Sequence, residues 1–394
     1  MYSKKHIVIS IIVSAAVTLT SCVGMGLMLL GTGLFSRNDD VVLRAKNIIT
    51  ENYVDKLTEE EINELNDAAI AAMVASLDDP YSYYLDADTY TKFEDNNQEE
   101  YVGIGVNVSY DAETKTLTVT APTSGGPAEK AGIIPKDVIV GVDSLTVEKD
   151  GYDAIINHIK DGEEGDTVRI DILRDGTPIT VNVVRSVISL DTITFKMLDE
   201  DMAYIKISEF QHNSVEDFKK ALEDMKEKDA KGLIIDLRSN PGGYADSVIK
   251  MTDMLLPEGT IAYLEDNKGE REYFESDKNC IDIPMVVLVN EGTASAAELM
   301  TGSLQAYEVA TIVGMKTYGK AVGQAPYPLT ENTAIYLTSA RYYNPKGVCI
   351  DKKGIVPDVE VDLPDELKVR LSTLTLEEDV QLKTGISTLQ EKIK

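Results

Sequence analysis

Two short, mostly apolar runs constrain this chain most. They are Leu233–Leu237 and Met285–Val289; each stops at a turn that contains glycine, and each is followed by helix-forming residues. Such runs read as buried strands, and strands that alternate with helices define an α/β core. Ala203–Ile207 and Ala334–Thr338 extend the set of strands, and Val215–Lys226, Ala245–Leu255 and Ala296–Ala306 are the expected helices. The core then spans residues 189–364.

The turns that end the two runs carry chemistry. The second run leads into Gly292-Thr293-Ala294-Ser295-Ala296-Ala297-Glu298, so Ser295 sits where a strand turns into a helix. At such a corner the first helical amides are unpaired and the helix dipole favours negative charge, which stabilises an attacking alkoxide and an oxyanion. Serine is also a preferred N-cap, so this residue alone is compatible with plain capping. The first run leads into Ser239-Asn240-Pro241-Gly242-Gly243, whose amides no side chain screens. That suits a backbone oxyanion donor, although by itself it is a common turn.

A serine nucleophile needs a base. The chain has only three histidines, His6, His158 and His212, which turns attention to the lysine in Tyr318-Gly319-Lys320-Ala321-Val322-Gly323-Gln324. An ordinary lysine titrates near about 10.4 and must be desolvated to act as a base at neutral pH. Ala321, Val322 and Gly323 bring no carboxylate that would hold the ammonium charged, and Gln324 can accept its hydrogen bond without adding charge. A lysine on its own is more often a snorkelling surface residue; the pairing with Ser295 and Gln324 is what favours a base. Glu298 reads as a partner of the helix start rather than as an acid catalyst.

Upstream, Val41–Thr58 and Glu59–Leu77 have helical spacing, with a break over Asp55–Glu61 and a stop at Asp78-Asp79-Pro80. Within 40–98 this reads as a helical hairpin. Residues 101–185 form a β-rich unit. A strand begins at Gly103-Ile104-Gly105-Val106, strands follow at Leu117–Ala121 and Asp137–Val142, and short and longer helices lie at Pro127–Gly132 and Tyr152–Lys160. Thr167–Leu173 and Thr180–Val184 close the unit. This order resembles a PDZ domain, which binds a C-terminal carboxylate on loop amides while the peptide adds a strand. The loop would be Val102, Gly103, Ile104 and Gly105.

Residues 7–35 are apolar apart from Ser, Thr and Cys22, and Lys4 and Lys5 precede them. The segment is long enough to span a bilayer, and the lysines put residues 1–6 in the cytosol, so it is expected to be an uncleaved transmembrane anchor. Leu19-Thr20-Ser21-Cys22 is like a lipoprotein cleavage box, but the apolar run continues past it without a polar tether. Beyond residue 37 the chain has 35 basic and 67 acidic residues, a balance that argues against nucleic acid or anionic headgroups as partners. Cys280 and Cys349 are far apart in sequence, which leaves their pairing open. With no His/Cys cluster and no phosphate-cradling glycine loop, neither a metal nor another cofactor is expected.

Taken together, the Ser295 motif, Gly319-Lys320 with Gln324, Asn240-Pro241-Gly242-Gly243 and Gly354-Ile355-Val356-Pro357-Asp358 resemble the C-terminal processing peptidases, or tail-specific proteases, of family S41. Leu77-Asp78-Asp79-Pro80-Tyr81-Ser82 and Tyr101–Val106 are similar to the motifs that precede them in that family, and the resemblance covers about residues 41–364. It implies a helical arm, a PDZ domain and a protease core of the crotonase-like ββα-spiral type; with the transmembrane anchor before them and the charged tail over 365–394, which reads as a surface helix pair, the expectation is a multi-domain α/β protein. It also implies Ser295 as nucleophile, Lys320 as general base, Gln324 as the residue that orients the lysine, and the amides of Gly243 and Ala296 as oxyanion donors, with Gly242 a further candidate. The implied activity is that of a bacterial, extracytoplasmic serine endopeptidase acting on proteins or peptides with free C-termini, with residues 41–98 pairing two copies. The alternative is a non-catalytic peptide- or ligand-binding protein on the same core, which a serine-reactive probe of Ser295 would separate from an enzyme.

Overall fold

The structure is a computed structural model that describes residues 39–394 except 97–99, 113, 124, 190 and 369. The expected anchor at 7–35 lies outside the described residues. No described helix is long and apolar enough to cross a membrane.

The described residues up to Asp86 form one compact unit and residues 87–394 another. In the first, helices α1 (Asp39–Asn52) and α2 (Glu59–Ala75) are followed by strand β1 (Tyr83–Leu85). Thr58 and Glu61 cap α2 reciprocally: the Thr58 side chain accepts from the Glu61 amide and Glu61 accepts from the Thr58 amide. This capping box ends the break before α2, so the helix begins at Glu59, inside the stretch expected to separate the two helices. The Tyr84 hydroxyl donates to Asp67 at 2.8 Å and ties β1 to α2.

The second unit opens with helix α3 (Ala87–Asn96) and strands β2 (Glu100–Gly103), β3 (Val106–Asp111) and β4 (Thr116–Pro122). Helix α4 (Pro127–Lys130), strands β5 (Val138–Val142) and β6 (Leu145–Thr146), helix α5 (Val147–Lys160) and strands β7 (Thr167–Arg174), β8 (Thr177–Val184) and β9 (Ser186–Ser189) follow. Antiparallel strands in the order β3-β4-β5-β7-β8 close over Ile155 and Ile159 of α5, forming a core of their own. Gly151, with φ 84°, kinks α5, so its regular part starts at Tyr152. The loop expected at Val102–Gly105 is shorter in the fold. Val102 and Gly103 pair with Val187 and Ser186 in the β2–β9 ladder, and Ile104 is buried, leaving Ile104–Gly105 as the link into β3.

The remaining elements are β10 (Ile193–Met197), β11 (Met202–Ile207), α6 (Ser214–Glu227), β12 (Gly232–Asp236), α7 (Ala245–Asp253), β13 (Gly259–Asp266), β14 (Arg271–Ser276) and β15 (Met285–Val289). They continue through α8 (Ala296–Tyr307), β16 (Ala310–Gly314), β17 (Val322–Pro328), β18 (Ala334–Tyr343), β19 (Val359–Glu360), α9 (Asp365–Lys368) and α10 (Val380–Ile393). The central sheet has the order β10-β11-β12-β15-β16-β19, parallel from β11 onward. Both faces of β12 and β15 are covered, which is why these strands are apolar apart from Asp236 at the end of β12. Ile235, Val287 and Val289 pack toward α6, α7 and α8, and Ile234, Val286 and Leu288 pack toward Leu382 and Leu389 of α10. A second sheet joins β17 to β18, β18 to β13 and β13 to β14, all antiparallel.

The C-terminal segment corrects the expected surface helix pair. It supplies one short helix and the long α10, and α10 is a core layer: without it Ile234, Val286 and Leu288 would face water. Its start also carries a buried charge. Asp379 accepts from both terminal nitrogens of Arg238 at 2.8 Å, Asp236 accepts from the same guanidinium, and the Tyr204 hydroxyl donates to Asp236. Burial pushes the Asp236 carboxyl up, but the Arg238 charge and its hydrogen bonds outweigh this and hold it below its ordinary 3.8. The stability this contributes is present above the unfolded value and is lost as pH falls through the lower folded one. Removing one member of such a cluster leaves charge buried without its partner, so Asp379→Ala is expected to cost about 3 kcal/mol, read as a lowered urea midpoint at neutral pH.

Candidate active site

β12 and β15 are adjacent and parallel, and the two sequence motifs leave their carboxyl ends side by side, where open α/β sheets place ligands. After β15 the chain turns through Asn290–Ala294 into α8. Ser295 precedes the helix with φ 55° and ψ −119°, a conformation that costs a non-glycine residue roughly 1–3 kcal/mol and persists only where neighbours impose it.

Those neighbours are the turn after β12. The Ala294 amide donates to the Asn240 carbonyl at 2.9 Å, the Thr293 hydroxyl to the Leu237 carbonyl at 2.8 Å, and the Ser239 amide to Asn290 Oδ1 at 2.8 Å. Asn240 Nδ2 donates to the Ile207 carbonyl, fixing the turn to β11 as well. Gly242 lies against the serine: a Cβ there would sit 2.8 Å from Ser295 Cβ and 3.0 Å from the Ala296 nitrogen. Its own amide donates to Asn240 Oδ1 at 2.8 Å, which removes Gly242 from the candidate oxyanion donors. Among the described residues no hydrogen bond engages the amides of Gly243 or Ala296. Gly243 has φ 136°, and a Cβ on it would lie 2.2 Å from the Phe210 carbonyl oxygen, so only glycine fits. Gly243→Ala should therefore displace this strand and lower kcat on the order of 10²-fold, measured on protein that remains folded by circular dichroism.

Lys320 reaches the site from the segment before β17, and Glu298 holds that segment to the serine corner. Glu298 Oε2 accepts from the amides of Ser295 at 3.0 Å and Lys320 at 2.8 Å; Oε1 accepts from the Gly319 amide at 2.7 Å and from the Thr317 hydroxyl. Burial raises the Glu298 carboxyl above its ordinary 4.5, against the lowering effect of these four donors. A carboxyl raised in this way favours the fold below its unfolded value and loses that contribution as pH rises through the folded one, so a Glu298 carboxylate at neutral pH costs stability while aligning three backbone amides. The expectation that Glu298 partners the helix start thus captures one of these four contacts, the Ser295 amide.

Ser295, Lys320, Gln324, Gly243 and Ala296 all line one cleft of about 560 Å³, whose apolar wall includes Val248, Leu264, Phe274 and Val322. Gln324 Nε2 donates to the Thr338 hydroxyl at 3.0 Å, which leaves the amide oxygen as its acceptor. Tyr342, not singled out from sequence, places its hydroxyl 3.0 Å from the carbonyl oxygens of both Ser295 and Lys320. It sits in the sequence Arg341-Tyr342-Tyr343, and nothing local marks one tyrosine over the other. Cys280 and Cys349 are free thiols.

Residues 201–361 match the sequence profile of Peptidase family S41, residues 101–184 that of the PDZ domain, and residues 36–89 that of the Activating protease CtpB N-terminal domain. The carboxyl-terminal-processing protease of Synechocystis sp. is 32% identical over 377 residues, covering 90% of this chain and 87% of that protein. The chain belongs to peptidase family S41. The Bacillus subtilis carboxy-terminal processing protease CtpA is also 32% identical, over 90% of this chain and 74% of its own. Among solved structures, a photosystem II D1 C-terminal processing protease superposes with a TM-score of 0.50 at 28% identity, over 85% of this chain and 96% of that one. A putative S41 protease from Bacteroides fragilis, at 17% identity and a TM-score of 0.55 over 88% of this chain and 96% of its own, shares the fold. The S41 chain is thus a carboxyl-terminal-processing serine protease with a PDZ domain.

Proposed function

We propose that this S41 peptidase cleaves peptide bonds with a Ser295/Lys320/Gln324 site. The observation that carries the reading is Ser295 on a strained strand-to-helix corner, in one cleft with Lys320 and with two amides that no hydrogen bond among the described residues uses. Ser295 Oγ attacks the scissile carbonyl as its proton passes to Lys320 Nζ, and the oxyanion is held by the amides of Gly243 and Ala296. Lys320 returns that proton to the leaving amine, producing an acyl-enzyme. A water molecule, losing its proton to Lys320, then attacks the ester and releases the new C-terminus, and the proton returns to Ser295. Gln324 orients the amine without adding charge.

In the same reading the PDZ domain receives the substrate's free C-terminus. The amides of Ile104 and Gly105 are not used by any hydrogen bond among the described residues, and Gly105 has φ 66°. Residues 7–35 anchor the enzyme with its catalytic part outside the cytosol, as their length, apolarity and preceding lysines support. The arm pairs two copies, as the exposed Val41, Val42, Leu43 and Ile49 of α1 support.

The experiment compares a protein substrate with a free C-terminus and the same substrate amidated. Gly105→Val, which forces a β-branched side chain against Ile188 and Thr123 at a positive φ, should slow cleavage of the protein substrate at least about tenfold while leaving hydrolysis of a short ester unaffected, and amidation should reproduce that loss in the parent enzyme. Equal rates for acid and amide would remove carboxylate recognition from the reading.

A further inference from the structure

The peptide groups of Ser295 and Lys320 are gripped by the same two side chains. Glu298 takes both amide hydrogens on one carboxylate oxygen, and Tyr342 sets one hydroxyl 3.0 Å from both carbonyl oxygens. We infer that Tyr342 is a positioning residue for the catalytic pair, its single O–H shared between the two carbonyls and setting the separation of the residues that carry the nucleophile and the base. The inference rests on the Ser295/Lys320 reading and adds to it a residue that touches neither reacting atom.

Three observations support it. The tyrosine is rigidly mounted: it lies in β18, its amide donates to the Ala321 carbonyl at 3.1 Å, and only 7% of its surface is exposed. Burial, followed by the nearby carboxylates Glu298 and Asp351 and the Cys349 thiol, pushes the hydroxyl well above the ordinary tyrosine range, so it stays a neutral donor. Finally, the Ser295 backbone is strained, and the Tyr342 hydroxyl adds a side-chain contact to a carbonyl that also accepts from the Glu298 and Leu299 amides, opposite the Glu298 carboxylate on its amide side.

The test is Tyr342→Phe in the full chain, which keeps the ring and its packing and removes the shared hydrogen. kcat on a short ester should fall roughly 10- to 100-fold with KM changed by less than about threefold, because the loss is one of alignment rather than of binding. Labelling by a fluorophosphonate probe separates this from damage to the fold: its final amplitude reports folded sites and its rate constant reports alignment. An unchanged amplitude with a labelling rate reduced in parallel with kcat supports the inference. A kcat and labelling rate within about twofold of the parent overturn it, and so does a deficit confined to the amplitude. Ser295→Ala serves as the control. If it is inactive and unlabelled while Tyr342→Phe behaves as the parent, only the role of Tyr342 falls; if it retains hydrolysis, the catalytic reading falls with it.

Discussion

Ser295→Ala is expected to lower proteolysis on the order of 10⁴-fold or more while leaving the fold in place. The residue is half-buried at the mouth of α8, and its side chain is not part of either hydrophobic cluster of the core, so removing one oxygen creates no cavity there. Its backbone contacts also survive, because the Glu298 bond and the helical bonds of α8 involve main-chain atoms. The measurement is cleavage of an unstructured protein substrate together with the thermal midpoint. A stable alanine variant that cleaves at the parent rate would leave the cleft as a binding site only.

Lys320→Arg is expected to be as inactive as Lys320→Ala, with both falling on the order of 10³-fold or further. Guanidinium stays protonated in proteins, so arginine can fill the space and keep the positive charge yet cannot accept the proton of Ser295. The comparison isolates basicity from charge, which an alanine variant alone does not. An amine acts as a base only when neutral, so activity in the parent should rise with pH, and a flat profile from about pH 5 to about pH 9 would count against a lysine base. The titratable groups around Lys320 that bear on the profile are Glu298 behind its amide, Tyr342 behind its carbonyl, Asp351 near the Ala321 amide and Glu209 in the cleft lining. Glu298, raised above 4.5 by burial, adds an acid limb of its own: as it protonates, one acceptor for the Ser295, Gly319 and Lys320 amides is weakened.

The elements that were legible in the sequence are those whose signal is local. Met285–Val289 reads as a strand because burial on both faces requires every position to be apolar, and α8 begins after Ser295 because the chain there changes from a glycine turn to helix formers. Ser295, Lys320 and Gln324 were nameable because each belongs to a short motif, and the cleft brings all three together. The Val102–Gly105 loop is shorter in the fold than the sequence suggests because glycine at 103 reads as a turn, whereas Ser186, 83 positions away in the partner strand, pairs with it.

What sequence alone determined was the type of core, four of its strands and three of its helices, and which side chains could do chemistry, since propensity, periodicity and turn residues act over a few positions. Tertiary structure decided everything that depends on two distant segments meeting. Whether Gly242 or Gly243 keeps a usable amide depends on where the Asn240 side chain points. That Tyr342 rather than Tyr343 faces Ser295 and Lys320 follows from the register of β18 against β17 and β13, in which neighbouring side chains point to opposite faces. The helix α10, whose charged sequence reads as surface, is a buried layer because the second apolar face of the central sheet must be covered and because Asp379 must meet Arg238, a contact between residues 141 positions apart.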